Sequence, residues 1–455
     1  MGVYLNRNFL LSYAASFISL FGSKLLMISY VAFVFGETGS ATLASAVFAA
    51  DWIANLFVGL LASHRIDRSD ARKLLLWLNL TAAAVTALFL ACLSPDRFPV
   101  AVGVIFTRAL LNSAVNTARV KALVQFFDRE QTNLYSAVFN SSLFIAIAVA
   151  GAVGTFILHF VGMTTVVVID LSTFLIAAAL FALVRPNTAR MAEARSAAGE
   201  REGVVQGVKA AARIIARSPV VSSAVFYIVL SVSAFQATYE VLITAAPQLW
   251  FSMGESGTAL FFTAESLAVI AGLFLYQYLS RRGLVPEARQ RGLNLAVATA
   301  ATLLYAALPL SRGSLALTLA VFVGMVLGCE VIWAHQYKRL IAHTPDAKVS
   351  SVVGLLSAAG YSLMAVLGFV FSWAMDRLGS GWAIGLDLLL IALTVTGWEL
   401  SQRTSRQGSP REESVRPAGT GQPRLAGGRR GQGARPGGRR GQPEPAAAQR
   451  AVQGS

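Results

Sequence analysis

The sequence predicts an all-α membrane protein of twelve transmembrane helices in two pseudo-symmetric six-helix halves. Three observations predict it. A chain of 455 residues with 55% hydrophobic and only 13% charged residues is too apolar to be soluble. About twelve apolar runs precede residue 400, each close to the roughly 20 residues that cross a hydrocarbon core. One long internal hydrophilic stretch, Arg185 to Pro219, parts six runs from the other six. The period-two alternation of a lumen-lining strand is missing, which argues against a β-barrel.

In chain order the runs cover about 9–35, 41–62, 74–93, 100–118, 134–158, 164–184, 220–246, 257–279, 292–310, 314–336, 349–373 and 381–400. The first is too long for a signal-peptide core and has no evident cleavage site, so it reads as a retained span. The predicted organisation is an N-terminal half over 1–184, a linker over 185–219, a C-terminal half over 220–400 and a tail over 401–455. Arg and Lys crowd the loops on one side: four between Ala62 and Lys73, seven between Arg185 and Arg217, four between Arg281 and Arg291. The opposite loops hold only Arg97, Arg312 and Arg377. This asymmetry predicts that both termini are cytoplasmic. Within the linker, Val204, Val208, Ala211 and Ile215 share one helical face opposite the bases, the pattern of an interfacial amphipathic helix. The tail has eleven arginines, three glutamates and almost nothing apolar, a composition that predicts disorder.

The net charge of +15 resides mostly in loops and tail, and the tail lacks the interleaved aromatics of a nucleic-acid binder. No nucleic-acid partner is expected. Cys92 and Cys329 lie in separate apolar runs, which indicates neither a metal site nor a disulfide framework. Zinc-protease, nucleophile-elbow and phosphate-loop motifs are all missing, so the chain reads as neither an enzyme nor a self-contained ATP-driven pump.

Between the second and third runs stands Asp67-Arg68-x-Asp70-x-Arg72-Lys73. It resembles the loop signature of the major facilitator superfamily of secondary transporters, with Ser63 where that family carries glycine. The resemblance implies that Asp67, Arg68, Asp70, Arg72 and Lys73 form a cytoplasmic gating loop, the acid held against the start of span 11. Thr38-Gly39-Ser40-Ala41, Thr117-Ala118-Arg119, Asp170-Leu171-Ser172-Thr173-Phe174 and Thr344-Pro345-Asp346 resemble, in their joint order, the exporters related to macrolide-efflux and enterobactin-export proteins. Ala150-Gly151-Ala152-Val153-Gly154 is similar to that superfamily's antiporter motif without its proline. A basic helix end followed by a loop acid recurs before spans 5 and 11, Arg119 to Asp128 and Lys338 to Asp346, as parallel repeats would have it.

Polar residues recur at helical spacing inside three spans: Ser12, Ser16, Ser19 and Ser23 with Lys24 alongside; Arg108, Asn112, Asn116 and Arg119; Ser233, Gln236, Glu240 and Thr244. Arg108 lies eleven residues, about 16 Å, from Arg119 and therefore deep in the membrane. By resemblance it takes the place of an arginine that modulates a proton-titrating carboxylate. The resemblance also sets spans 1, 4, 7 and 10 around a central cavity. The expected proton and substrate pathway comprises Lys24, Asp51, Arg108, Asn112, Asn116, Gln236, Glu240, Glu265 and Glu330. Two cations against four acids predict that one or two carboxylates bind a proton, Glu330 first and Glu240 second. Asp170 and Asp387 fall on peripheral spans, where a packing role is expected.

The function these features imply is secondary active export of a small amphipathic molecule, an antibiotic or a siderophore-like metabolite, by proton antiport. No cofactor is expected, and the proton gradient is the energy source. The expected setting is the plasma membrane, the expected state a monomer, and the partners a small-molecule substrate and the lipid bilayer. A nutrient importer or a lipid flippase on the same fold stands as the alternative.

Overall fold

The computed structural model describes residues 6–59, 66, 69–127, 145–158, 160–185, 204–285, 290–345 and 348–408. The chain forms two units, Met1–Trp398 and one beginning at Glu399; the described residues of the second are helical through Gly408. Among the described residues there are helices and no strands. In chain order they are α1 Arg7–Thr38, α2 Ala41–Phe57, α3 Ala71–Phe89, α4 Phe98–Phe126, α5 Ile145–Ile157, α6 Met163–Leu183, a linker helix Val204–Arg217, α7 Pro219–Phe251, α8 Gly254–Arg281, α9 Gln290–Ala307, α10 Leu315–Ala342, α11 Val349–Leu378 and α12 Ser380–Gly408. Among the described residues, ten helices are long and apolar enough to span a membrane, and α2 and α5 are the shorter two.

Local chemistry sets the turns. Asn6 caps α1 by accepting from the Asn8 and Phe9 amides. Gly39 ends α1 at φ 64°, the left-handed conformation that glycine adopts without steric cost, and Ser40 then caps α2. Asp70 caps α3 by accepting from the Arg72 and Lys73 amides. Within α7, Leu230–Gln236 is a π-helical segment where the sequence predicts an unbroken helix.

Two ends of the bundle behave differently. Toward the Gly39 end, buried apolar residues of both halves merge in one cluster that includes Val31, Phe48, Trp52, Tyr239, Phe262, Phe371 and Met375. Toward the Asp70 end they part. Phe9, Val58, Leu75, Val115 and Phe181 form one cluster within the N-terminal half, while Ala211, Val221, Ile228, Leu340 and Val352 form another within the C-terminal half. The linker helix belongs to the latter: Ala211, fully buried, and the adjoining Ile214 and Ile215 dock on α7 and α11, whereas Val208 is exposed. The part of its apolar face formed by Ala211, Ile214 and Ile215 therefore covers protein, and Val208 does not.

The halves meet through α2 with α11, α5 with α8 and α1 with α8. Ser45 and Ser372 hydroxyls lie 2.8 Å apart in the first contact. In the second, a Cβ on Gly151 would stand 2.5 Å from Thr263 Oγ1 and 2.9 Å from the Ala259 carbonyl, so only glycine permits this approach. At the Gly39 end Asp376 of α11 accepts from Ser40 Oγ at 2.7 Å, the Ala41 amide at 2.7 Å and the Thr42 amide at 3.0 Å. One half thus caps a helix of the other, and Gln248 of α7 adds a bond to the Ala32 carbonyl at 3.1 Å.

Candidate functional site

One cavity of about 450 Å³ lies between the halves, and all nine residues of the expected pathway line it. Lys24 comes from α1, Asp51 from α2, Arg108, Asn112 and Asn116 from α4, Gln236 and Glu240 from α7, Glu265 from α8 and Glu330 from α10. Its lining also takes Val115 from the N-terminal inner cluster and Ile228 and Leu356 from the C-terminal one, so it extends between the parted clusters.

The stripes contribute unequally. The α4 stripe lines the cavity throughout, Arg119 included. Of the α1 serines only Ser19 and Ser23 line it; Ser12 and Ser16 are buried against protein. On α7 only Gln236 and Glu240 do so, because the wider π turn rotates Ser233 off the face that an ideal helix would share. Gln236 Nε2 donates to Glu240 Oε1 at 3.0 Å, and Glu240 Oε2 is buried with no partner among the described residues.

Arg108 requires a correction to the charge count. Its Nη2 and Nε donate to Asp170 Oδ2 of α6 at 2.5 and 3.1 Å, Nε also reaches Thr86 Oγ1 at 3.2 Å, and the guanidinium stands over the Phe174 ring. Both side chains are buried, at 7% and 0% exposure, so Asp170 takes up the charge that the sequence reading gave to the cavity acids. Spacing could not reveal this, because Asp170 lies 62 residues away. Lys24 Nζ has no carboxylate within 4 Å among the described residues, and its nearest polar contact is Met27 Sδ at 3.7 Å. It remains within electrostatic reach of Glu240 and Glu265, and Asp51 within reach of Glu240. Tyr239, fully buried, lies in the field of Glu240, Glu265 and Glu330. At Gly272 α8 passes so close to α10 that a Cβ would meet Glu330 Cβ at 2.7 Å.

Sequence reasoning missed the aromatic lining, which includes Tyr30, Trp52, Phe262, Trp333 and Tyr361. In so apolar a chain an aromatic on a span carries no mark of the face it takes.

In the loop before α3, Asp67 and Arg68 lie outside the described residues, as do Asp128 and Asp346 of the internal echo. Asp70 is a helix cap, Arg72 donates through Nη2 to the Ala182 carbonyl at the end of α6 at 2.5 Å, and Lys73 is exposed. Lys121, buried, grips the same loop through the carbonyls of Ile66 and Ser69, and Gln125 accepts from the Ala71 amide at 2.9 Å.

The family model for the Major Facilitator Superfamily matches residues 13–368, and the chain belongs to that superfamily of transporters. No curated protein matches as a relative. Among solved structures it is similar to a bacterial homolog of the human lysosomal transporter Spinster, in an inward-facing and unoccupied conformation, at 12% identity. That match covers 88% of this chain and 98% of the other with a TM-score of 0.67. It is also similar to a D-xylose–proton symporter at 14% identity, covering 86% and 97% of the two chains with a TM-score of 0.59. At such identities the likeness concerns the fold alone.

Proposed function

We propose that the protein is a proton-coupled exporter that carries a small amphipathic molecule across the plasma membrane by alternating access. The observation that supports this best is the composition of the cavity between the halves. Asp51, Glu240, Glu265 and Glu330 share it with Lys24 and Arg119, Arg108 being occupied by Asp170, so acids outnumber the available bases. A site with surplus carboxylates in a membrane interior favours proton uptake when empty and proton release when a cationic group arrives. That exchange is antiport. The aromatic lining suits an amphipathic body, and the basic loops at the Asp70 end make the open side cytoplasmic, the side from which an exporter loads. The loop of Asp67 to Lys73 is read as the gate on that side.

Everted membrane vesicles energised with a proton gradient test the proposal, with uptake of cationic dyes such as ethidium as the readout. Glu330→Gln and Glu240→Gln, folded as judged by unchanged gel-filtration profiles, should each abolish gradient-driven uptake. Uptake by both single variants and the double variant with an unaltered pH profile would place coupling elsewhere.

A further inference from the structure

We propose that the cavity contains an anion subsite built on Arg119, and that the cargo is an elongated amphipathic zwitterion. Its anionic group sits on Arg119 while its cationic group faces the acids of the C-terminal half. The inference rests on reading the cavity as the substrate site and goes on to name the substrate class.

Arg119 is only 7% exposed, yet it lines the cavity. Its Nη1 donates to Asn116 Oδ1 at 2.8 Å, its Nε is buried with no partner, and no carboxylate comes within 4 Å among the described residues. A guanidinium keeps its charge when buried, so among the described residues this site lacks the anion that would complete it. Arg108, on the same face, is satisfied by Asp170 and is not available. The second half repeats the motif, Arg339 Nη1 donating to Gln336 Oε1 at 3.0 Å, but Arg339 does not line the cavity.

The charges of the lining are divided unevenly. The bases of the lining, Lys24, Arg108 and Arg119, all stand on the N-terminal half together with Asp51, and the other three acids, Glu240, Glu265 and Glu330, stand on the C-terminal half. The pairs Asn116 with Arg119 and Gln336 with Arg339 match as equivalents of the internal repeat. Taken as equivalents, they put Arg119 at the level of Arg339, nine residues beyond Glu330 on α10, or about 14 Å at helical rise. A molecule that meets both must carry its charges well apart on an apolar body.

Calorimetric titration of the full-length protein in nanodiscs of net-neutral lipid tests this with 12-aminododecanoate, whose two charges stand a comparable distance apart, and with its methyl ester, which keeps only the cation. Wild-type protein should bind the zwitterion about tenfold or more tightly than the ester. Arg119→Gln should erase that preference without weakening the ester, and Arg119→Lys should restore part of it. Equal binding of the two compounds, no saturable binding of the zwitterion, or equal loss for both in a folded Arg119→Gln protein overturns the subsite. Preference for the zwitterion without gradient-driven transport would overturn the exporter reading and leave the subsite standing. Transport of zwitterion and ester alike would do the reverse.

Discussion

The bond that holds the Gly39 end closed joins a carboxylate to the start of a helix in the other half, and its removal should change which side of the cavity is open. Asp376 accepts from one hydroxyl and two backbone amides at the first turn of α2. Loss of a side-chain cap costs about 0.5–2 kcal/mol, and loss of a negative charge at a helix N-terminus about 0.3–1 kcal/mol. Asp376 is exposed, so the lower parts of these ranges apply, and Asp376→Ala should weaken closure by about 1–2 kcal/mol, a factor of roughly 5–30 in the closed-to-open ratio. Asp376→Asn keeps acceptor capacity and loses only the charge, so its effect should be about 0.3–0.6 kcal/mol. Spin labels at Glu37 and Leu378, both exposed, would report the separation of the halves at this end by pulsed dipolar spectroscopy, since Cys92 and Cys329 are both buried. The expected record is a growing long-distance population in the order wild type, Asn, Ala. An identical distance distribution in wild type and Asp376→Ala would refute the reasoning, because the capped helix would then contribute nothing to closure.

Removing one partner of the Arg108–Asp170 pair should destabilise the N-terminal half by about 3–5 kcal/mol, because it strands a buried charge. Thermal unfolding should show Arg108→Gln and Asp170→Asn each worse than their combination, and additive losses would disprove the coupling. Gly151→Ala should force α5 away from α8 at a cost of about 1–3 kcal/mol, and Thr263→Ala, which removes the nearer contact at 2.5 Å, should recover part of it. Deletion after Gly408 should leave transport unchanged at equal expression, since the removed sequence has almost nothing apolar with which to form a core; loss of activity would give the tail a role.

The number of helices and the polar character of the cavity were legible in the sequence because both follow from one-dimensional patterns, run length and helical spacing. Helix ends were not. The fourth apolar run stops near 118, yet α4 continues to Phe126, and Lys121 and Gln125 use the extra turns to hold the loop before α3. Hydropathy marks where a helix leaves the hydrocarbon, whereas hydrogen bonding decides where it stops. The stripe on α7 was half legible for a related reason, since spacing arguments assume 3.6 residues per turn and the π segment at Leu230–Gln236 departs from it.

Charge pairing was the least legible feature, and the two peripheral acids show why. Asp170 and Asp387 each stand seven residues after the first residue of their helices, α6 and α12, so position alone gives them the same role. Their surroundings differ: Asp170 meets Arg108 and Thr86, whereas Asp387 lies against Tyr305 and Thr238. If Arg119 is set level with Arg339, the residue of α10 equivalent to Arg108 is Gly328, so the C-terminal half keeps the acid but not its base. An intramembrane acid is therefore not a unit of meaning by itself. Its role is decided by the side chain that a neighbouring helix brings to it, and for Asp170 that side chain also decides how much positive charge is left for the substrate.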